Sequence, residues 1–369
     1  MFIGSHETEV SAKLSRVDTT TVTVDSDNFE NGSAPAAGHG GENNSLHDLL
    51  WRVSRTFALS NRWLPARLRR TMTVAYLLFR VSDYLEDNAV MSSERKVEML
   101  YLWDAVLAGR EREDRLCSEL REVKHDDDPE AEVAIRFREL TRSLRGLEES
   151  ECRALRERVR ETTRGMARRQ LRGPVVETEE ELDEYMHHVA GVVGYLITEV
   201  FACFDSRLAK RKSDLMEPAR EYGLGLQTVN VIRGLRKDYA RGRVYVPRNL
   251  LEEVGLEPDT FLRAHNADRS MTVVDRLVEK ADSHLRFGLS YVFGMPRSLY
   301  RVRLATMWPL LFAAKTLSVS RGNPNVVFSE AKITRRDVAR IVRHTMVMGW
   351  SNRWLGWYYQ RLLYRRNSR

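Results

Sequence analysis

Val74-Ala75-Tyr76-Leu77-Leu78-Phe79-Arg80-Val81-Ser82-Asp83-Tyr84-Leu85-Glu86-Asp87 joins an apolar run to a cluster of acids. Apolar residues recur there at three- and four-residue spacing, which predicts a helix. On that helix Asp83, Glu86 and Asp87 stand at i, i+3 and i+4 and share one face. Three carboxylates on one face repel one another, so the arrangement is costly without a cation. Hard oxygen donors of this kind suit Mg²⁺, which keeps several waters and is completed by substrate phosphates. The apolar residues in front of the cluster predict a buried cavity beside it. Taken alone, the triplet fits a solvated acidic helix end equally well.

A second stretch adds weight to the metal reading. Gln227-Thr228-Val229-Asn230-Val231-Ile232-Arg233-Gly234-Leu235-Arg236-Lys237-Asp238 has helical spacing. Gln227, Asn230, Gly234 and Asp238 fall on one stripe of it. The Asn230 amide and the Asp238 carboxylate are expected to hold a further Mg²⁺. Arg233, Arg236 and Lys237 suit diphosphate oxygens, and Arg can do so in bidentate fashion. A basic solvated helix face would read the same way. Upstream, Ser54-Arg55-Thr56-Phe57 sets a hydroxyl and a guanidinium beside an aromatic ring, and Arg80 stands one turn before Asp83.

The rest of the chain frames these stretches. Residues 1–44 are rich in Ser, Thr, Gly, Ala, Asp and Asn. Such composition cannot bury enough apolar surface to offset ordering, so a disordered tail is expected. From Ser45 on the pattern is helical, as in Leu102-Trp103-Ala105-Val106-Leu107. Breaks are expected at His125-Asp126-Asp127-Asp128-Pro129, where the loop ends in a helix start, and at Arg172-Gly173-Pro174. Thr178 reads as an N-cap with Glu181 three residues on. Arg243-Val244-Tyr245-Val246, bracketed by Gly242 and Pro247, reads as a short extended stretch. No alternating strands and no repeat are found. The expected class is all-α, a single-domain helical bundle over 45–345, with a basic aromatic helix over 346–369.

Bulk composition narrows the partners. The 369 residues are 43% hydrophobic and 30% charged, with a net charge of +7. That balance admits nucleic acid, an anionic membrane or a phosphorylated substrate. No zinc-finger spacing and no RNP-like motif is present, so nucleic acid is not expected. Cys117, Cys152 and Cys203 share no metal-like spacing and read as free thiols of a reducing compartment. The apolar run from Val189 to Phe204 contains Thr198 and Glu199 and is shorter than the roughly 20 residues of a membrane span. No signal-peptide pattern opens the sequence. A cytoplasmic monomer is expected. The C-terminal Trp, Tyr and Arg residues suit a peripheral contact with the inner face of a membrane, and they suit a packed terminal helix as well.

Together these segments resemble the head-to-head prenyl synthases, which include squalene, phytoene and dehydrosqualene synthases. The resemblance runs through Ser54–Phe57, Val74–Leu77, Arg80–Asp83 with Glu86-Asp87, Tyr185-Met186-His187-His188-Val189-Ala190-Gly191-Val192-Val193-Gly194, Gln227–Asp238 and Gly242–Pro247. It implies a helical bundle around a deep cavity, with Mg²⁺ and diphosphate held at its mouth. It implies farnesyl diphosphate as substrate, bound by Ser54, Arg55, Phe57, Arg80, Gln227, Asn230, Arg233 and Lys237. Asp83, Glu86, Asp87, Asn230 and Asp238 would hold metal. Tyr76, Arg80, Asp83, Asp87 and His188 would serve catalysis, His188 as an acid or base or else as a structural histidine. Asn325-Val326-Val327-Phe328-Ser329-Glu330-Ala331-Lys332-Ile333 resembles the segment before the NADPH contacts of squalene synthases, which implies Lys332 and Arg335 as cofactor contacts.

The resemblance also has gaps. Gly234 stands where the family usually has an aspartate, and Lys237 where it often has glutamate. Either a basic side chain replaces a metal ion there, or the chain is a noncatalytic prenyl-binding relative. Squalene formation with NADPH is the leading expectation. Phytoene or dehydrosqualene formation without reduction is the alternative.

Overall fold

The structure is a computed structural model describing residues 41–123 and 129–364. In chain order the helices are α1 (Gly41–Val53), α2 (Arg55–Arg62), α3 (Ala66–Asp87), α4 (Ser93–Leu107), α5 (Glu113–Glu122), α6 (Pro129–Ile135), α7 (Phe137–Arg145), α8 (Glu149–Arg172) and α9 (Glu179–Met186). They continue as α10 (Val192–Phe204), α11 (Ser206–Ala209), α12 (Lys212–Ala240), α13 (Arg248–Glu252), α14 (Ala267–Gly294), α15 (Tyr300–Ser320), α16 (Asn325–Phe328), α17 (Arg335–Met348) and α18 (Asn352–Tyr364). Among the described residues no β-strand occurs. The stretch expected to be extended makes only one parallel bridge, between Val244 and Val175.

Local chemistry explains where these helices begin and end. Thr178 caps α9 by accepting from the Glu181 N–H, as its sequence predicts. Ser54 caps α2 by accepting from the Phe57 N–H. Thr334 and Asp337 form a reciprocal capping box at α17. Gly173, at a φ of 90°, ends α8 at the predicted break. The N-terminal boundary moves: α1 starts at Gly41, four residues before the expected Ser45. The tail over residues 1–40 and the loop residues 124–128 lie outside the described residues, and the helix start at Pro129 is observed.

α12 is the central helix, packed by α10, α14 and α15. The approach to α10 and to the turn of residues 187–191 before it is close. A Cβ on Gly223 would fall 2.4 Å from the Ala190 carbonyl oxygen, and one on Gly194 would fall 2.2 Å from that of Ala219. α3 lies against α4 and α8. The core is large and apolar, with Trp103, Trp308, Phe137 and Phe261 among its fully buried side chains.

One expectation is corrected in part. α9, a π-helical turn at His187–Gly191 and α10 form a single helical run, Glu179–Phe204, long and apolar enough by length and composition to cross a membrane. The sequence window alone began at Val189 and missed that continuity. The run packs between α8 and α12. Its Val189, Val193 and Ile197 are incompletely buried because they face an internal cavity.

Candidate active site

α2, α3, α10, α12 and α15 enclose a cavity of about 630 Å³. Its body is apolar, walled by residues such as Leu59, Met72, Ile197, Phe201 and Phe312. Its polar end carries Arg80, Glu130, Gln227, Asn230, Arg233 and Lys237. Helical periodicity produces this division, because α3 and α12 each turn an apolar face to the core and a charged stripe to the opening.

Aromatic and cationic groups interlock at the boundary. Phe57 stacks on Tyr76 with ring centroids 4.4 Å apart and planes 22° apart. The Tyr76 hydroxyl accepts from Arg80 Nε at 2.9 Å and Nη2 at 2.6 Å. Arg80 Nη1 also reaches Asp83 Oδ2 at 3.1 Å and Glu130 Oε1 at 3.2 Å. Burial works to lower the Arg80 pKa, but Tyr76, Asp83 and Glu130 outweigh it and raise the pKa above its ordinary value. The guanidinium is therefore a fixed charge aimed along the cavity wall.

The acids gather just beyond. Burial pushes the Asp83 carboxyl up to about 7, with Glu130 and Asp87 adding repulsion and Arg80 opposing it. Burial likewise pushes Glu86 up to about 8, helped by Asp87 and Asp83. Asp238 rises to about 6, through burial first and then through Asp87. Asp87 therefore acts on acids of both α3 and α12, which the fold brings together. Arg243, from the turn after α12, pairs with Asp87. Tyr185 donates to Glu86 Oε2 at 3.5 Å and stacks on Tyr245 with centroids 5.3 Å apart.

These donors bear on Mg²⁺. Among the described residues no three His, Cys, Asp or Glu side chains are arranged to hold a metal unaided. Mg²⁺ commonly needs no such cage, since one or two carboxylates with substrate phosphates and water suffice. Carboxylates that raise one another's pKa are short of positive charge, and this donor set fits a hard cation delivered with a diphosphate.

Several expected residues sit elsewhere. Arg55 is exposed on α2 and does not line the cavity. Asp238 borders a separate small niche with Tyr239, Arg243 and Tyr245, while Asn230 and Lys237 face the main cavity. The expected single stripe of Asn230 and Asp238 therefore splits, because eight residues do not complete whole turns at 3.6 per turn. His188 does not line the cavity either. It packs so tightly on α8 that a Cβ at Gly165 would fall 2.2 Å from its Cγ. Its Nε2 meets Arg168 at 2.9 Å, and burial followed by Arg168 lowers its pKa. The structural reading of this histidine fits that position. Lys332 lines the cavity and pairs with Glu330 at 2.6 Å, whereas Arg335 lies outside the lining.

The squalene/phytoene synthase family model matches residues 50–337. The chain belongs to that family. Over 305 residues it is 24% identical to human squalene synthase, covering 81% of this chain and 68% of the human protein. It is also 24% identical to squalene synthase 1 of Arabidopsis thaliana, covering 82% of this chain and 71% of the plant protein. A solved complex of TcSQS with the ligand BPH1237 superposes with a TM-score of 0.76 at 25% identity, covering 89% of this chain and 93% of that one. Members of the squalene/phytoene synthase family are prenyl transferases, and the all-α fold agrees with them.

For a squalene/phytoene synthase family member, this chain has site residues that its sequence left without a role. Glu130 follows Pro129 at the start of α6 and reaches Arg80, 50 residues away in sequence. Its only signal is an acid in the first turn of a helix. Arg243 lay inside a motif of the resemblance, yet its pairing with Asp87 spans 156 residues. Tyr185 and Tyr245 have no sequence signal for meeting each other.

Proposed function

We propose that this protein is a squalene synthase, condensing two farnesyl diphosphates head to head through presqualene diphosphate and reducing the product with NADPH. The observation that carries the reading is one apolar cavity ending in Arg80, Arg233 and Lys237. The apolar body suits two prenyl chains, and the cations suit diphosphate oxygens. Asp83, Glu86 and Asp87 would hold Mg²⁺ together with the substrate phosphates, and the ion would supply positive charge to the departing diphosphate. Arg80 and Lys237 stabilise the same developing charge from the protein side. The walls exclude water from the allylic cation. The stacked Phe57 and Tyr76 rings offer it their π faces. Lys332 is the cavity-facing group that would hold a dinucleotide phosphate, and NADPH would supply the hydride.

A second reading has its own observation. Only Lys332 of the two expected dinucleotide contacts faces the cavity. Condensation without reduction, to dehydrosqualene or phytoene, needs neither. Purified protein incubated with farnesyl diphosphate and Mg²⁺, with and without NADPH, separates the two. Squalene formed only with NADPH supports the first reading, and dehydrosqualene in both samples overturns it. Asp83→Ala is expected to abolish turnover, and normal rates in that variant would remove the metal assignment. The protein is read as a cytoplasmic monomer, with its net charge of +7 drawing it to an anionic membrane face.

A further inference from the structure

α8 carries arginines at four-residue steps, Arg156, Arg160, Arg164, Arg168 and Arg172. Residues four apart on a helix are neighbours, and like charges at that spacing repel. Such a ridge is costly unless anions answer it. Arg172 is answered by Glu184 at 2.6 Å. Arg156 reaches Cys152 Sγ at 3.6 Å. Between them, Arg160, Arg164 and Arg168 line a surface groove of about 270 Å³ together with Glu157 and Glu161. None of these groove residues lines the cavity of the candidate active site.

A buried acid fixes two of these arginines. Asp104, on α4, is 2% exposed. Its Oδ1 accepts from Arg160 Nε at 2.9 Å. Its Oδ2 accepts from Arg164 Nη2 at 3.1 Å and from Arg110 Nη2 at 2.7 Å. Three guanidinium groups thus share one carboxylate, and positive charge is left in excess. Each guanidinium has several N–H donors, so donors remain for a further acceptor. Arg168 adds to the excess. It donates to His188 Nε2 at 2.9 Å, and a ring nitrogen that accepts from arginine carries no proton of its own. Burial, and then Arg168, lowers the His188 pKa in the same sense. Glu161 is already matched by Arg158 at 2.7 Å, and Glu157 stands exposed at the groove.

We propose that this groove on α8 is a binding site for a compact, soluble phosphate anion of two or more charges, of the class of inorganic diphosphate, held by Arg160, Arg164 and Arg168. The planar fork of arginine matches phosphate oxygens in pairs. Asp104 holds two of the forks in place before the ligand arrives, which lowers the ordering cost of binding. Glu157 and Glu161 set the size of the occupant. They repel an extended anionic surface laid across the groove and leave room for a small ion between the arginines. The site is separate from the charged end of the cavity, and the inference does not depend on the reaction proposed there.

The test uses the full chain and needs no turnover. Calorimetric titration with inorganic diphosphate is run in chelator, which keeps Mg²⁺ out of the cavity, at low and high salt. Binding is expected to weaken with salt and to persist in Arg233→Gln combined with Lys237→Gln, which removes cations of the cavity. Arg160→Gln combined with Arg164→Gln is expected to weaken it by roughly tenfold or more. Should that pair fold poorly with Asp104 short of partners, Arg168→Glu leaves every Asp104 contact in place and is expected to lose as much. Vesicles containing phosphatidylglycerol, at the same phosphate concentration, are not expected to compete. Full affinity in either folded groove variant overturns the inference. So does loss of all binding in the cavity variant, and so does equal competition by the vesicles. A parent chain that binds no diphosphate in chelator overturns it as well.

Discussion

Arg243 grips Asp87 across 156 residues of sequence, tying the turn after α12 to the last residue of α3. The pair faces the cluster in which Asp87 also repels Glu86 and Asp238. The Asp87 side chain remains 45% exposed, so the pair contributes about 1 kcal/mol or less to stability. Arg243→Ala is therefore expected to leave the melting temperature nearly unchanged. Turnover of farnesyl diphosphate should fall by at least tenfold, because the charge balance beside the diphosphate end is altered. Steady-state kinetics beside a thermal melt checks both halves.

The raised acids predict a pH dependence of the metal-free protein. Asp83 and Glu86 titrate ordinarily at 3.8 and 4.5, and in the fold at about 7 and about 8. The folded state therefore holds these protons more tightly than the unfolded chain does. Their contribution is most favourable below the lower values and is lost as pH rises to the higher ones. Across that window Asp83→Asn should become increasingly more stable than the parent. Melting curves of both proteins in chelator, taken through the window, read the difference. A constant difference counts against the shift.

Gly234 faces the cluster directly. A Cβ there would fall 2.9 Å from Asp238 Oδ2, the movable end of a side chain. Gly234→Asp should therefore be accommodated with a small shift of Asp238. Glycine is also a poor residue for a helix interior, by about 1 kcal/mol relative to alanine. The variant is expected to bind Mg²⁺ more tightly at equal or higher turnover. Calorimetric titration with Mg²⁺ and a nonreactive farnesyl diphosphate analogue measures the first effect.

Phe201 is buried on the apolar wall of the cavity. Phe201→Leu removes ring volume while keeping the wall apolar, at about 1 kcal/mol of stability. Under the proposed reaction it should raise use of geranylgeranyl diphosphate relative to farnesyl diphosphate. Competition between the two substrates, read as product chain length, tests it.

Much of this was legible in the chain. The helical class follows from spacing in stretches such as Val74–Phe79, and the caps at Thr178 and the break at Gly173 follow from backbone chemistry. The cavity residues Phe57, Tyr76, Arg80, Asn230, Arg233 and Lys237, on α2, α3 and α12, were marked by residue type, by helical spacing and by the family resemblance. His188, Arg55 and Arg335 were marked too, and the fold points them elsewhere. A side chain's direction depends on how its helix is rotated against its neighbours, and spacing within one helix leaves that rotation open.

By itself the sequence determined the helices, their caps and the types of chemical group at the site, because these depend on residues within a few turns of one another. Only the tertiary structure decided that Arg243 would answer Asp87, that Glu130 would reach Arg80, and that Asp238 would turn from Asn230 into its own niche. Those relations join residues far apart in the chain. They are set by how the helices pack around one cavity, and electrostatics at a few ångströms registers that packing directly.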